Sequence, residues 1–165
     1  MLKNARRTDF NCKIAAGHRM TKRFNIRVYA LISNGAGEIL VSDEMRHGRA
    51  FTKFPGGGLE WGEGLKTALE RELMEELGLA CQVGRLFYVN DFFQASAFRA
   101  EDQLLSFYYE ASTIDPSGIP ATQHAYPLLE EGEKFRWLEV KTIRPEMFTF
   151  PIDQVVAAML RSQPE

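Results

Sequence analysis

The chain has 165 residues, a net charge of −2, and a composition that is 45% hydrophobic and 25% charged. That suits one globular domain with its own core, since ~150 residues bury roughly two-thirds of the surface the unfolded chain exposes. It excludes a wholly disordered, fibrous or disulfide-scaffold protein. No stretch approaches the ~20 apolar residues of a membrane span, and the small negative charge excludes a generic nucleic-acid binder.

Cys12 and Cys81 lie far apart, with no metal-binding spacing around them. They read as free thiols in a reducing cytosol, so a cytoplasmic location is expected. Residues 1–23 carry seven Lys or Arg against one acid, Asp9. This segment lacks the continuous apolar run of a secretory signal. Residues 1–19 read as a basic, poorly ordered extension, with a transit peptide or phosphate-binding arm as the alternative, and residues 20–165 as the domain. Met20 marks an alternative start.

In chain order, residues 24–32 alternate and are rich in β-branched and aromatic residues, which predicts a strand. Residues 33–37 (Ser-Asn-Gly-Ala-Gly) read as a turn and 38–42 as a returning strand, together a hairpin. Residues 43–53 read as a polar, basic loop with Arg46, His47, Arg49 and Lys53. Residues 54–58, Phe-Pro-Gly-Gly-Gly, form a second loop with unusual backbone freedom. The spacing of Leu65, Leu69, Leu73 and Leu77 predicts a helix over residues 64–77, ended by Gly78. Residues 82–90, 104–111 and 134–140 read as strands. Residues 112–123, with Pro116, Gly118 and Pro120, read as loop. Residues 152–161 predict a short helix with Ile152, Val155, Val156, Met159 and Leu160 on one side. The expected architecture is α/β in the broad sense: a single-domain α+β protein with a mixed sheet and helices packed on it, not doubly wound.

The first helix concentrates the chemistry. Glu72, Glu75 and Glu76 are related as i, i+3 and i+4, so they project from one side. Like charges at that spacing cost a helix a few tenths of a kcal/mol. A hard divalent cation such as Mg²⁺ reverses that penalty, because it takes oxygen ligands and shares them with substrate phosphates. A merely solvated acidic face is the alternative. The glycines just upstream let backbone groups approach a metal or phosphate closely. Arg71 can pair with Glu63 and hold the shape of such a site.

At these residues the sequence resembles the Nudix family. Gly57, then Glu63 after five residues, then Arg71-Glu72-Leu73-Met74-Glu75-Glu76-Leu77-Gly78-Leu79 after seven more, satisfy every specified position of the Nudix box. The preceding Phe54-Pro55-Gly56 also resembles the family's approach to the box.

The resemblance implies an α/β/α sandwich on a mixed sheet. It implies Mg²⁺- or Mn²⁺-dependent hydrolysis of a nucleoside diphosphate linked to another group, with a lean toward ADP-ribose or a nucleotide sugar. Carried over residue by residue, Glu72, Glu75, Glu76 and the Gly56 carbonyl resemble the metal ligands, and Glu63 and Arg71 the bracing pair. The general base is implied to be a box glutamate or a carboxylate on a later loop. Glu131 is the favoured loop candidate, within Glu130, Glu131 and Glu133; Glu101 and Asp102 form a second group.

Substrate-contact candidates are Arg27, Arg46, Arg49 and Lys53 for phosphate or ribose. Phe92, with Phe24, Tyr29 and Phe93, is a candidate for base stacking, although most aromatics at strand positions are core. Residues 94–98 lack the proline and tyrosine of some ADP-ribose and diadenosine-polyphosphate hydrolases of the family. These absences weaken those labels. The resemblance implies a nucleoside diphosphate derivative as the partner, not nucleic acid or membrane, and favours a homodimer. Two alternatives remain: a nucleoside triphosphate pyrophosphohydrolase, and a non-catalytic nucleotide sensor.

Overall fold

The computed structural model describes residues 21–163. The expectations placed on residues 1–19, Met20 and Cys12 lie outside that range. Among the described residues there are seven strands: β1 (Arg23–Ile32), β2 (Glu38–Arg46), β3 (Arg49–Lys53), β4 (Gly56–Gly58), β5 (Gln82–Val89), β6 (Asp102–Ser112) and β7 (Gly132–Glu139). Two α-helices join them, α1 (Leu65–Leu77) and α2 (Pro151–Arg161). Single 3₁₀ turns occur at Pro116–Gly118, Val140–Thr142 and Pro145–Met147.

The strands form two sheets, in orders β4-β1-β6-β5 and β3-β2-β7. The first is mixed: β1 runs parallel to β6 and antiparallel to β4. The second is antiparallel throughout. Strand β1 is central and buried on both faces, so its side chains divide by the two-residue period of the pleat. Val28, Ala30 and Ile32 join Ala68, Leu69, Leu73 and Leu77 of α1 in one cluster. Tyr29 and Leu31 join Phe54, Phe148, Ile152, Val156 and Leu160 around α2 in the other. Helices thus cover opposite faces of the central sheet, the layering expected from the sequence.

Three sequence expectations change. Residues 56–58, placed in the 54–58 loop, form strand β4 against β1. The residues 24–42 hairpin is replaced by a crossing between sheets: β1 pairs with β6 and β4, whereas β2 pairs with β3 and β7. What remains of the hairpin is the bridge between Ser33 and Ile39 and the Asn34 backbone amide donating to the Glu38 carbonyl at 3.3 Å. The basic loop over 43–53 is instead the β2–β3 hairpin, turning at His47 and Gly48 with φ of 52° and 70°. Positive φ at both central residues matches the twist of the flanking strands. The polarity of this stretch concealed it, because Asp43 and Glu44 point into ion pairs rather than water. Buried Asp43 accepts from Thr52 Oγ1 and Arg136 Nε, both at 2.5 Å, and lies 2.9 Å from His124 Nε2. Glu44 meets Lys53 at 2.9 Å.

Helix α1 has no side-chain N-cap bond at Gly64; its C-terminus closes at Gly78, whose φ of 69° lets the amide return to Met74 at 3.0 Å. Leu69, Leu73 and Leu77 are buried as the stripe predicts, and Leu65 is partly covered. In α2, Met159 stays on the outside, and the buried positions include Asp153 and Ala157 instead.

Candidate active site

The site lies where β4 meets β1 and the last two turns of α1. Arg27, Val28 and Tyr29 of β1 pair in register with Gly58, Gly57 and Gly56. Gly56 has φ 131°, and a Cβ there would run into the Val28 carbonyl. A Cβ on Gly57 would overlap the Glu72 carboxylate. The glycines therefore let the β4 backbone lie against both the central strand and the helix glutamates.

The glutamates are held by three different contacts. Glu76 accepts from the Gly56 amide at 2.9 Å. Glu72 accepts from Arg71 Nη1 at 3.1 Å, and Glu75, on the exposed flank, lies 3.5 Å from the same nitrogen. Arg71 also donates Nε and Nη2 to the two oxygens of Glu63, at 2.7 and 3.0 Å, and Nη2 to the Gly58 carbonyl at 3.1 Å. The fork explains both members of the pair: Arg71 lowers the Glu63 carboxyl from its ordinary value, and its own pKa rises.

Lys53 enters from β3 and is almost completely buried. Its Nζ donates to the Gly56 carbonyl at 3.1 Å and meets Glu44, Glu76 and Glu133 at 2.9, 3.4 and 3.6 Å. Burial by itself lowers an ammonium pKa, but Glu76, Glu44 and Glu133 outweigh that and hold Lys53 above its ordinary value. Burial pushes the Glu76 carboxyl up to about 7, against the pull of Lys53. Glu133 rises for the same leading reason and accepts from the Ser42 hydroxyl in a short contact.

These donors fit a hard divalent ion: carboxylate oxygens and one carbonyl, arranged where a positive group already rests. Among the described residues, no three acidic, histidine or cysteine side chains converge closely enough to hold a metal by themselves. Arg71 and Lys53 occupy their oxygens.

A cavity of about 300 Å³ opens from this cluster. Gly56, Gly57, Gly58, Glu72, Glu76, Arg27, Arg46 and Lys53 line it, together with the rings of Phe51, Phe98 and Phe150. Those three rings pack with centroids 5.3–6.0 Å apart. Asn25, Ser106, Tyr108 and Asp153 add polar groups to the wall. Asp153 is buried, accepts from the Tyr108 hydroxyl at 2.9 Å, and is pushed by burial up to about 7.

The structure brings some predicted residues together and leaves others apart. Arg27, Arg46 and Lys53 reach the cavity; Arg46 also pairs with Glu44 at 3.1 Å. Arg49 stands at its margin, 5.9 Å over the Phe98 ring, and donates to the Ala97 carbonyl. Phe92 lies outside the lining, with its carbonyl accepting from Asn90. Phe24 and Phe93 line a separate depression. Glu131 does not face the helix glutamates: it accepts from the His47 and Gly48 amides at 3.0 and 2.9 Å and so fastens the β2–β3 turn. Two residues further on, Glu133 is the member of that acidic group that meets Lys53.

Sequence reading missed Glu44, Phe51, Phe98, Phe150 and Asp153. Glu44 and Phe51 fell in the supposed loop. Phe98 stands in a stretch judged by what it lacked. An acid in the first turn of an otherwise apolar helix, directly after Ile152, was the available signal for Asp153.

Glycine-rich strand, braced glutamate helix and flanking cleft together define a Nudix domain. A sequence model of the NUDIX domain matches residues 23–159, and the chain belongs to that family. Among solved structures it resembles a NUDIX hydrolase from Nitrosomonas europaea, with TM-score 0.61 and 21% identity over 82% of this chain and 88% of that one. It also resembles a MutT protein from Methanosarcina mazei Go1, with TM-score 0.62 and 22% identity over 84% and 94%. At such identity the likeness is one of fold. An RNA pyrophosphohydrolase of Actinobacillus pleuropneumoniae serotype 5b (strain L20) is 39% identical over 62 residues, 38% of this chain and 29% of that protein. The chain thus spans less than a third of the length of such curated relatives. Among the described residues, no helix is long and apolar enough to cross a membrane.

Proposed function

We infer that this chain hydrolyses the diphosphate linkage of a nucleoside diphosphate that carries a further group. The observation behind this reading is the continuity of one cavity from the Glu72, Glu76 and Gly56–Gly58 end to the Phe51, Phe98 and Phe150 end. Phosphates at the first end and a nucleobase at the second make use of both. Stacking on aromatic faces contributes ~1–3 kcal/mol per base in proteins that bind single strands.

In this reading Glu72, Glu75, Glu76 and the Gly56 carbonyl hold Mg²⁺ or Mn²⁺. The bound ion would neutralise the diphosphate and acidify the attacking water. Arg71 and Glu63 keep the helix glutamates at fixed distances from β4. Arg27 and Arg46 meet the phosphates as charge-assisted donors. The proton of the attacking water goes to a box glutamate lining the cavity rather than to Glu131, which is engaged at the hairpin turn.

Substrate choice within this class is tested by product. ADP-ribose and nucleotide sugars are the first candidates and should yield a nucleoside monophosphate plus a sugar phosphate. A second reading, release of pyrophosphate from a triphosphate, draws support from the relatives named RNA pyrophosphohydrolase and from a cavity at the small end of ligand sites, which run from ~300 Å³ upward. Anion-exchange analysis of a panel that includes nucleoside and RNA 5′-triphosphates, with excess Mg²⁺ or Mn²⁺, separates the two. Cleavage of the whole panel at background rates would overturn both.

A further inference from the structure

Lys53 reaches the site as a buried ammonium. A buried ammonium is costly unless paired, and here it is paired three times over. Glu44 comes from β2, Glu76 from α1, and Glu133 from β7, so three separate elements supply carboxylates to one nitrogen. The Gly56 carbonyl is the fourth oxygen, 3.1 Å away. Glu76 and that carbonyl are the oxygens that the proposed function gives to the metal.

Without the ammonium, three largely buried carboxylates would face one another across a few ångströms. Like charges at such range in a protein interior repel strongly, so the place demands a cation. The oxygens are hard donors from a carbonyl and carboxylates, the set chosen by Mg²⁺, Mn²⁺ or Ca²⁺. Divalent ions bind oxygen at ~2.0–2.6 Å, whereas Lys53 sits 2.9–3.6 Å from these atoms. A modest inward rotation of the glutamates would close that difference once the lysine tip was gone.

We propose that Lys53 is a built-in cation of the site: its ammonium takes the place of one divalent ion among Glu44, Glu76, Glu133 and the Gly56 carbonyl. The chain therefore carries one divalent ion fewer than its oxygen donors could hold. Lys53 acts through the glutamates, as a positioning residue. This inference rests on the reading of the glutamate cluster as a metal site.

Mn²⁺ binding to the full chain without substrate tests it, read by calorimetry and by the loss of free-Mn²⁺ EPR signal. Lys53→Met should bind about one more Mn²⁺ per chain than the unaltered protein, as the vacated oxygen set would allow. It should also gain more thermal stability from Mn²⁺ than the unaltered protein does. Lys53→Gln, whose amide keeps a donor for the Gly56 carbonyl but no charge, should behave like Lys53→Met. Folded variants with the unaltered stoichiometry would overturn the inference, as would variants that stay unfolded in Mn²⁺. Failure of the unaltered chain to bind any Mn²⁺ would instead overturn the metal site itself.

Discussion

The carboxylate of Glu76 accepts the backbone N–H of Gly56 at 2.9 Å, which joins the last turn of α1 to the first residue of β4. This bond sets the distance between the helix that carries the glutamates and the strand that carries the carbonyl. It also leaves one oxygen of Glu76 toward Lys53. Glu76→Gln keeps an acceptor for the amide and removes the negative charge. Hydrolysis should fall by about 10²–10³-fold, the scale of losing one preorganised electrostatic contact. Circular dichroism should be unchanged; product analysis at saturating Mg²⁺ measures the loss.

Arg71 holds Glu63 through two parallel bonds and the Gly58 carbonyl through a third. A lysine supplies one compact charge and not a planar fork. Arg71→Lys should therefore fail to rescue Arg71→Ala. Both variants should lose about 1–3 kcal/mol of stability, as expected for hydrogen bonds to charged groups, together with most activity. Urea unfolding and turnover read the two effects separately.

Gly57 has no side chain where Glu72 needs room. In Gly57→Ala the helix carboxylate must move aside while the buried core stays intact. Mn²⁺ affinity should drop by about 10-fold or more, the scale seen when the support of a metal ligand is disturbed, with little change in Tm without metal. Unchanged affinity would remove Glu72 from the ligand set.

Asp153 gives the fold a pH dependence. Burial raises its folded pKa to about 7 from an ordinary value of 3.8. A carboxyl raised on folding keeps its proton in the native state and releases it first in the unfolded chain. Its contribution is fully present below pH 3.8 and is lost as pH climbs through about 7. The span corresponds to roughly 4 kcal/mol at most, at 1.36 kcal/mol per pKa unit. Asp153→Asn keeps an acceptor for Tyr108 and should gain stability relative to the unaltered chain between pH 4 and 8. Denaturant midpoints across that range measure it; parallel curves would refute the raised pKa.

Phe98 and Phe150 form the aromatic wall with Phe51. Removal of either ring should raise KM about 10-fold, in keeping with ~1–3 kcal/mol of base stacking, while kcat stays within a few-fold. Phe92→Ala, outside that wall, should leave both constants unchanged. Steady-state kinetics on the best substrate of the panel decides between the two sets.

Local patterns made α1, the C-terminal helix and most strands legible, because each shows its period within about ten residues. The Nudix box was legible for the same reason: its residues lie within one glycine strand, one short connection and one helix. Strand β3 was not, since Lys53 looks like a loop residue until Glu44, Glu76 and Glu133 are brought near, and Arg49 until the Phe98 ring and the Ala97 carbonyl are. Glu131 and Glu133 stand two residues apart, yet one caps a turn and the other meets the buried lysine. Only the pairing of β7 with β2 separates them.

The sequence by itself determined the family, the glutamate helix and the bracing pair of Glu63 and Arg71. Those depend on contacts within a span of 23 residues, from Gly57 to Leu79. The tertiary structure decided everything that needs distant segments to meet. It set Lys53 among acids from three elements, put Asp153 beneath the cavity, and built the aromatic wall from Phe51, Phe98 and Phe150. Those contacts join residues with no local periodic relation to one another, so nothing short of the folded sheet order specifies them.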